Sequence, residues 1–332
     1  MRLRLVSYHA GWRLAFAALV LMAFMTACDR TVPEDAPASV RQDADEFSVM
    51  TYNVGAYGYR DRTGDGQADN PKPEEERAAV RAVILDNRPD VLALQEMGGP
   101  DVFDAFRAEL ADAGLDYPFH LLLQRNRSEN NIALLSRYPI ISHQLHTDDT
   151  FSIGDEQLPV RRGFIEADIS VGPAYWFRLF VAHLKSKAYD PRGHTEMRRN
   201  EARLLNNHVR RSLSREHRLN LLVVGDMNDH VRAAPLRTIM GAEQEYLKDL
   251  RPVDRYGELW TYYEEEAELY HRYDYTLASP YMVPEFIPDK SAVIRHPKGS
   301  RASAHRPVLA VFSARDMVPA DAPLLPSYEY DE

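Results

Sequence analysis

Three polar residues, Asp226, Asn228 and Asp229, follow a short apolar run that ends in Gly225. A run of this length predicts a buried strand, so the polar side chains would emerge at its carboxyl end. Carboxylate and amide groups gathered there suit a cation or a phosphate. The same residue types also dominate ordinary turns, so this stretch alone leaves both interpretations open.

Polar residues recur at the ends of other predicted strands. Residues 47–53 nearly alternate apolar and polar side chains, residues 91–96 form a short apolar run, and a third strand covers 176–184. One edge of a two-sheet core could collect all of these polar side chains. They are Asn53, Glu96, His183, Asp226, Asn228, Asp274 and His305.

Amphipathic stretches predict helices at residues 74–87, 101–113 and 195–216. Further strands are expected at 119–123, 132–136, 163–170, 259–263, 273–278 and 308–312. Strands alternate with helices in each half, yet several are joined by short turns. This order predicts an α/β fold, a four-layer sandwich in which two mixed β-sheets pack face to face and are flanked by helices.

The first 27 residues have the features of a secretory signal. Arg2, Arg4 and Arg13 precede an uninterrupted apolar run at residues 14–25. The run is about half the roughly 20 residues that a membrane-spanning helix needs. Residues 28–46, rich in Pro, Ala and acids, then predict a flexible tether before the domain at 47–314, and an acidic, Pro-rich tail fills 315–332.

Cys28 is the only cysteine of the 332 residues, which excludes an intramolecular disulfide and a zinc–thiolate site. The stretch Met25-Thr26-Ala27-Cys28 resembles a bacterial lipobox, in which the cysteine becomes the lipidated amino terminus. That resemblance implies a lipid-anchored protein of the bacterial cell envelope, and Asp29 favours the periplasmic face of the inner membrane. A secreted protein with an unused cysteine is the alternative.

Bulk charge does not favour a general affinity for nucleic acid backbones. The formal net charge is -10, and removing the three arginines of residues 1–27 leaves 37 basic against 50 acidic residues, or -13. Basic residues nevertheless surround His183 in sequence. Arg161, Arg162, Lys185, Lys187, Arg192, Arg198, Arg199 and Arg203 would form a local rim for an anionic substrate, while the acids lie elsewhere, at 74–76, 264–266 and in the tail.

Seven short motifs occur in the order and spacing of one known family. They are Met50-Thr51-Tyr52-Asn53-Val54, Leu94-Gln95-Glu96, Leu134 to Ile140, His183-Leu184, Gly225 to Asn228, Tyr273-Asp274-Tyr275 and Ser303 to Val308. Together they resemble the endonuclease/exonuclease/phosphatase superfamily, whose fold is deoxyribonuclease I-like, over nearly the whole domain. Each string is weak alone, because Glu96 could cap a helix, Asn53 could form a turn and His183 could be a core histidine.

The resemblance implies roles for these residues. Glu96 would bind the metal, Mg²⁺ with Mn²⁺ or Ca²⁺ as alternatives, and Asn53 would support it. Asp226 would align or deprotonate the attacking water, and Asn228 and His183 would donate to the phosphate. His305, its tautomer fixed by Asp274, would stabilise the pentacovalent phosphate or protonate a leaving oxygen. The predicted phosphate-binding residues are Arg162, Lys185, Lys187 and Asn131.

One departure from the family pattern concerns the metal site. The family usually has Ser-Asp-His before Pro-Val, whereas this chain has Ala304 before His305. Loss of that carboxylate implies weaker metal binding, substitution by another acid such as Asp229, or a non-catalytic binding lipoprotein.

The motif set therefore predicts a metal-dependent phosphoesterase in which water attacks directly. A monomeric nuclease is the first hypothesis. A phosphodiesterase or phosphatase for phosphoinositides or other lipid headgroups is the alternative, which a membrane anchor would suit. A polar loop with Asp61, Asp65 and Asp69 resembles a calcium loop but lacks its closing Glu, so a solvated turn is expected there.

Overall fold

The computed structural model describes residues 45–125, 130–241 and 246–317. The predicted signal, Cys28, most of the tether and residues 318–332 of the tail lie outside the described residues. Within the described ranges, no helix combines the length and apolar character that crossing a membrane requires.

The strands and helices alternate irregularly along the chain. The helices are α1 (Glu74–Asn87), α2 (Pro100–Asp112), α3 (His194–Arg215), α4 (Ala234–Met240) and α5 (Gly299–Ala302). The strands are β1 (Glu46–Asn53), β2 (Val91–Met97), β3 (Phe119–Leu123), β4 (Asn131–Ser136), β5 (Ile140–His146), β6 (Thr150–Ile153), β7 (Glu156–Pro159), β8 (Phe164–Gly172), β9 (Tyr175–His183), β10 (Leu221–Asp226), β11 (Lys248–Asp249), β12 (Tyr262–Glu264), β13 (Leu269–His271), β14 (Asp274–Ala278), β15 (Ala292–Val293) and β16 (Val308–Ser313).

Two six-stranded sheets carry the fold. The first has the order β15-β16-β1-β2-β4-β3 and the second the order β11-β14-β10-β9-β8-β5. Each is mixed: β1 pairs with β2 in parallel and β9 with β10 in parallel, whereas their other neighbours are antiparallel. The predicted fold class is confirmed.

Three apolar clusters separate four layers. Alternate residues such as Phe47, Val49 and Val224 fill the space between the sheets. Residues of opposite parity, such as Met50 and Tyr52, pack with α1 and α2 on the outer face of the first sheet. The outer face of the second sheet packs against α3 and α4. Apolar side chains thus cover both faces of the central strands, which explains their continuous apolar runs.

The pairing brings six strand ends to one edge of the sandwich. Parallel pairing puts the carboxyl ends of β1 and β2 together, and likewise those of β9 and β10. The antiparallel neighbours β14 and β16 begin at the same edge, so Asp226 lies opposite Asp274 in the register. Gly225 makes this junction feasible, because its φ is +137° and an added Cβ would lie 1.9 Å from the Ala182 carbonyl oxygen.

The predicted strand at 259–263 is wrong in extent. Strand β12 begins only at Tyr262 and forms a hairpin with β13, which the sequence did not indicate. Strands β5 to β7 and helix α4 were also missed. The three strands are mostly exposed or half-exposed, and α4 has only seven residues, so these elements lack the apolar run or periodicity on which the other predictions rested.

The buried carboxyl group of Glu285 should make the stability of the protein depend on pH. Its carboxylate is 1% exposed and accepts a hydrogen bond from the Tyr175 hydroxyl. Burial, helped by Asp316, raises the pKa of Glu285 to about 8 against the usual 4.5. The folded state therefore keeps the proton while the unfolded chain loses it, so this contribution to stability is full below about pH 4.5 and is lost as the pH rises through about 8.

We expect Glu285→Gln to flatten this decline, because Gln stays neutral. The gain in unfolding free energy over wild type should reach at least about 1 kcal/mol near pH 8 and vanish near pH 4.5, as measured by urea denaturation. Wild-type and variant curves that run parallel across this range would refute the assignment.

Candidate active site

The inner faces of the two sheets meet at Asn53 and Asp226. Alternation along β1 and β10 points both side chains into the space between the sheets, at the last residue of each strand. Asn53 Nδ2 donates to Asp226 Oδ2 at 3.0 Å, although 173 positions separate the two. His183, the last residue of β9, places Nε2 3.4 Å from the same oxygen.

Glu96 reaches this site only because β2 is irregular. Strand parity alone would turn Glu96 toward the helices with Leu92 and Leu94. The register between β2 and β4 shifts between Gln95 and Met97, and Glu96 adopts a left-handed φ of +63°. This bulge redirects the carboxylate, which lies 3.4 Å from Asn53 Nδ2.

Arg60 contacts the candidate site, which the sequence did not indicate. Its guanidinium donates to Glu96 Oε2 at 3.2 Å, and the Ala56 N–H donates to the same oxygen at 2.8 Å. Arg60 belongs to the polar loop after β1, and only the fold brings that loop over β2. In the same loop Asp61 accepts three backbone N–H bonds, from Gly64, Asp65 and Gly66, as in a turn.

Asp274 and His305 form a buried pair. Asp274 Oδ2 lies 2.8 Å from His305 Nδ1, which leaves Nε2 facing Asp226 Oδ2 at 3.8 Å. Asp274 Oδ1 is buried and has no hydrogen-bond partner in the described ranges. The predicted contact between the two side chains is thus present in the structure.

Ser303 and Thr261 fix this pair from the backbone side. Ser303 Oγ donates to the Asn53 carbonyl and accepts from the His305 N–H, which ties the His305 turn to the end of β1. Thr261 Oγ1 accepts from the Tyr273 and Asp274 N–H groups. Ala304 itself is exposed. His305 is therefore oriented without a carboxylate at position 304.

The electrostatics separate an acid from a base. Burial lowers the pKa of His305, but Asp274 more than offsets this and raises it to about 9. Burial raises the pKa of Asp226 to about 7, although His305 acts in the opposite direction. At neutral pH the site therefore holds an imidazolium at His305 beside a carboxyl group, Asp226, that is poised to exchange a proton.

The protonation states of His183 and Glu96 set the remaining charge of the site. Burial, reinforced by the Arg162 charge, lowers the pKa of His183 well below its usual value, so this imidazole is neutral. Arg162 donates to the carbonyls of His183 and Leu184. Burial raises the pKa of Glu96, but the charges of Arg162 and Arg60 outweigh it and hold the pKa below its usual value.

The other predicted phosphate-binding residues are used differently. Lys185 is buried, and its Nζ donates to the carbonyls of Ser186 and Ala188. Lys187 Nζ lies 4.9 Å from the Tyr273 ring centroid, beside the site. Asn228 donates to the Leu184 carbonyl, and Asn131 donates to the Gly98 carbonyl next to the Glu96 bulge. Their contact with a phosphate stays a prediction.

Much of the predicted basic rim is paired within the fold. Arg198 binds Asp229 at 2.9 Å, and Arg192 binds Asp190 at 3.0 Å. The role of Asp229 as a substitute metal ligand stays a prediction. Buried Glu201, which the sequence did not indicate, accepts from the backbone N–H groups of Arg161 and Lys185. The acids are not remote, because Glu74 to Glu76 and Glu265 line a groove beside His305.

The donor set fits a hard divalent cation. Glu96 offers a carboxylate. Asn53 Oδ1 accepts from the Gly55 N–H at 3.0 Å while Nδ2 faces Glu96 and Asp226, so Asn53 would have to turn its amide over to offer an oxygen. A cation of this kind keeps several waters of its own. Asp274 Oδ1 is buried without a hydrogen-bond partner in the described ranges, so this oxygen could face a cation. One donor atom each from Asp226, Asp274 and His305 also lie within 4.8 Å of one another.

A family model described as the endonuclease/exonuclease/phosphatase family matches residues 50–300. The comparison with curated proteins finds no sequence match. Solved structures do match over most of the chain, all at low sequence identity.

Three of these structures are described here by their sequence identity, TM-score and coverage. The human nocturnin catalytic domain, solved with a bound sulfate anion, is 18% identical with a TM-score of 0.55 and covers 82% of this chain and 96% of its own. An endonuclease/exonuclease/phosphatase from Bacteroides vulgatus is 17% identical, with a TM-score of 0.56 and coverage of 82% and 100%. Sphingomyelinase C from Streptomyces griseocarneus is 14% identical, with a TM-score of 0.55 and coverage of 81% and 100%. These likenesses show the fold alone.

Proposed function

This chain belongs to the endonuclease/exonuclease/phosphatase family, and we propose that it is a nuclease that hydrolyses phosphodiester bonds by direct attack of water. The observation that carries the phosphoesterase assignment is the convergence of Asp226, Asp274 and His305 at one sheet edge. Glu96 and Asn53 adjoin them. No serine or cysteine nucleophile is needed.

The proton transfers follow from the two opposed pKa values. Asp226, with a pKa of about 7, accepts the proton of the attacking water at Oδ2. His305, held as an imidazolium by Asp274, donates from Nε2 to the leaving oxygen. Asn53 donates to Asp226 and so keeps the carboxylate turned toward the site.

Glu96 and Asn53 would hold the metal, which we propose to be Mg²⁺ because the donors are oxygens. When bound, the ion polarises the phosphoryl oxygen and neutralises charge in the transition state. Arg60 and Ala56 fix the Glu96 carboxylate for that task.

An aromatic strip beside His305 favours a nucleic acid as the substrate. The Tyr262 ring centroid lies 4.6 Å from that of His305 and 5.3 Å from that of Tyr273. On the other face of the β12–β13 hairpin, Tyr270 contacts Trp260 and Tyr263 at 4.5 and 4.8 Å. Unpaired bases stack on such rings, at about 1–3 kcal/mol per base.

A groove of about 1390 Å³ begins at the aromatic side chains of Trp260, Tyr263 and Tyr270. Its cations are largely neutralised, since Arg306 and Arg295 both bind Asp254. Stacking, rather than backbone charge, would therefore select the substrate, which favours single strands over a duplex. Initial rates on single-stranded DNA, duplex DNA and mixed liposomes would rank the substrates, and a clear preference for the duplex or the liposomes would overturn this order.

One observation supports lipid headgroups as the second candidate. Leu269 and Tyr270 are 52% and 60% exposed at the end of the hairpin, next to the site. Together with a lipid anchor at Cys28, these exposed apolar side chains would place the site next to a phosphodiester at a membrane surface. The liposome arm of the rate comparison tests this alternative.

We expect Tyr270→Ala to raise KM for single-stranded DNA by about tenfold, because one stacking contact is lost. Turnover of a small aryl phosphodiester, which has no neighbouring base, should stay unchanged. Tyr189→Ala is a matched control, since Tyr189 is 85% exposed outside the strip. Equal KM values for DNA in all three proteins would exclude a stacking role.

We further propose that Cys28 is lipidated and anchors the protein at the periplasmic face of the bacterial inner membrane. The basic residues, the apolar run and the lipobox-like Met25 to Cys28 support this. Cys28→Ser should move the protein from the membrane fraction to the soluble fraction. Wild-type protein that is soluble, with an unmodified amino terminus by mass spectrometry, would contradict the proposal.

A further inference from the structure

A second cluster of ligand-type side chains lies on the α3 side of the second sheet. It comprises His146 at the end of β5, Asp149 in the following loop, Glu166 on β8 and His208 on α3. His208 Nε2 lies 2.6 Å from Asp149 Oδ2, and His146 Nε2 lies 2.8 Å from Glu166 Oε2. None of these residues belongs to the catalytic constellation.

The two imidazoles come together at the centre of this cluster. Their ring centroids are 3.8 Å apart, and one donor atom each from His146, Asp149 and His208 lie within 4.8 Å of one another. We propose that these three residues bind a transition-metal ion of the Zn²⁺ class, at a site separate from the catalytic one.

The donors match that class of ion. Two imidazole nitrogens and a carboxylate suit Zn²⁺ or Co²⁺, whereas Mg²⁺ prefers oxygen ligands. Bond lengths of about 2.0–2.1 Å imply that tetrahedral ligand atoms lie about 3.3 Å apart. The His208–Asp149 pair therefore has to open by less than about 1 Å, which half-exposed Asp149 allows, and the His208 proton has to move from Nε2 to Nδ1.

The surroundings favour the form of the ligands that a metal needs. Glu166 accepts from His146 Nε2 and so leaves the lone pair on Nδ1, the carboxylate–histidine arrangement found behind many metal ligands. Arg178 in turn binds Glu166 at 3.1 Å.

Arg211 is a neighbour whose positive charge opposes a cation. Its guanidinium lies 3.4 Å from His208 Nδ1. Arg211 is exposed on α3, so its side chain can turn toward solvent when an ion binds. Removing this charge should therefore strengthen metal binding.

A metal here would clamp α3 to the edge of the sheet. Strand β5 is the outermost strand of the second sheet, and His208 lies two turns along α3 from Glu201. Glu201 holds the backbone N–H groups of Arg161 and Lys185 beside the active site. The ion would thus stabilise α3, which supports the backbone beside the active site, without touching the substrate.

The test is a Co²⁺ titration of the full protein, followed by visible absorption, with excess Mg²⁺ present. Wild type should bind one more equivalent of Co²⁺ than His208→Gln or Asp149→Asn. Arg211→Gln should bind at least as tightly as wild type. His143→Gln is the matched control, because His143 is exposed on the same strand, and it should titrate like wild type.

Stability provides the second measurement. Zn²⁺ at about 100 times its Kd should raise Tm by about 5 °C in wild type and His143→Gln, but not in Asp149→Asn. Asp149 lies in a loop, so this variant keeps the test valid if His208→Gln does not fold. Equal Co²⁺ stoichiometry in wild type, Asp149→Asn and His208→Gln would overturn the proposal, as would a Zn²⁺ shift that survives Asp149→Asn.

Discussion

Asp274→Asn and His305→Ala should each lower kcat by roughly 10²–10⁴. Asp274 Oδ2 holds His305 Nδ1 at 2.8 Å and stabilises its imidazolium, and no carboxylate at position 304 shares that task. Asn cannot stabilise the charge, and Ala removes the proton donor. The effect should therefore fall on kcat more than on KM.

Because the two side chains act as one unit, the double variant should be scarcely slower than either single variant. Asp168→Asn is a suitable control, since Asp168 is also a buried carboxylate but binds Arg178 on the neighbouring strand. It should cost stability and leave kcat unchanged. Additive losses in the double variant would show that Asp274 and His305 work separately.

Glu96→Gln is the second change with a large expected effect. It removes the only carboxylate of the proposed Mg²⁺ site while the hydrogen bond from the Ala56 N–H can persist. Loss of metal catalysis is worth several kcal/mol, or about 10³ in kcat. Steady-state kinetics as a function of Mg²⁺ concentration measure both kcat and the apparent affinity.

Glu109→Gln on α2 is the matched control, because Glu109 binds Arg81 away from the site. It should respond to Mg²⁺ like wild type. Full activity of Glu96→Gln at every Mg²⁺ concentration would remove Glu96 from the metal site. Inactive wild type that gains turnover through Ala304→Asp would instead support a protein that has lost catalysis.

The positions of the strand ends could be predicted from the sequence. The direction in which each side chain points could be predicted only where the strand is regular. Asn53, His183 and Asp226 end apolar strands with the parity that points them between the sheets, so alternation alone brings them together. Glu96 has the wrong parity, and only a family motif could assign it. Its position depends on a bulge that local residue types do not reveal.

Contacts between distant segments account for the rest. Arg60 contacts Glu96 because the loop after β1 folds over β2. Arg198 forms an ion pair with Asp229, which lies 31 positions further along the chain. A basic residue near a motif in sequence can therefore be structural, as Lys185 is. Strand β12 was predicted only in part and its partner β13 not at all, because these three-residue strands carry no apolar run.

We expect this sheet edge to hydrolyse phosphodiesters with the help of a divalent metal. The most direct measurement is product release by the purified protein from single-stranded DNA and an aryl phosphodiester, in Mg²⁺, in chelator, and in chelator followed by excess Mg²⁺. Wild type should turn over substrate in Mg²⁺, lose this activity in chelator and regain it when excess Mg²⁺ is added. His305→Ala should have lost the activity in Mg²⁺ as well. Turnover unaffected by chelation and by His305→Ala would contradict this expectation. So would no release from DNA, RNA, the aryl phosphodiester or a phosphoinositide in Mg²⁺, Mn²⁺ or Ca²⁺.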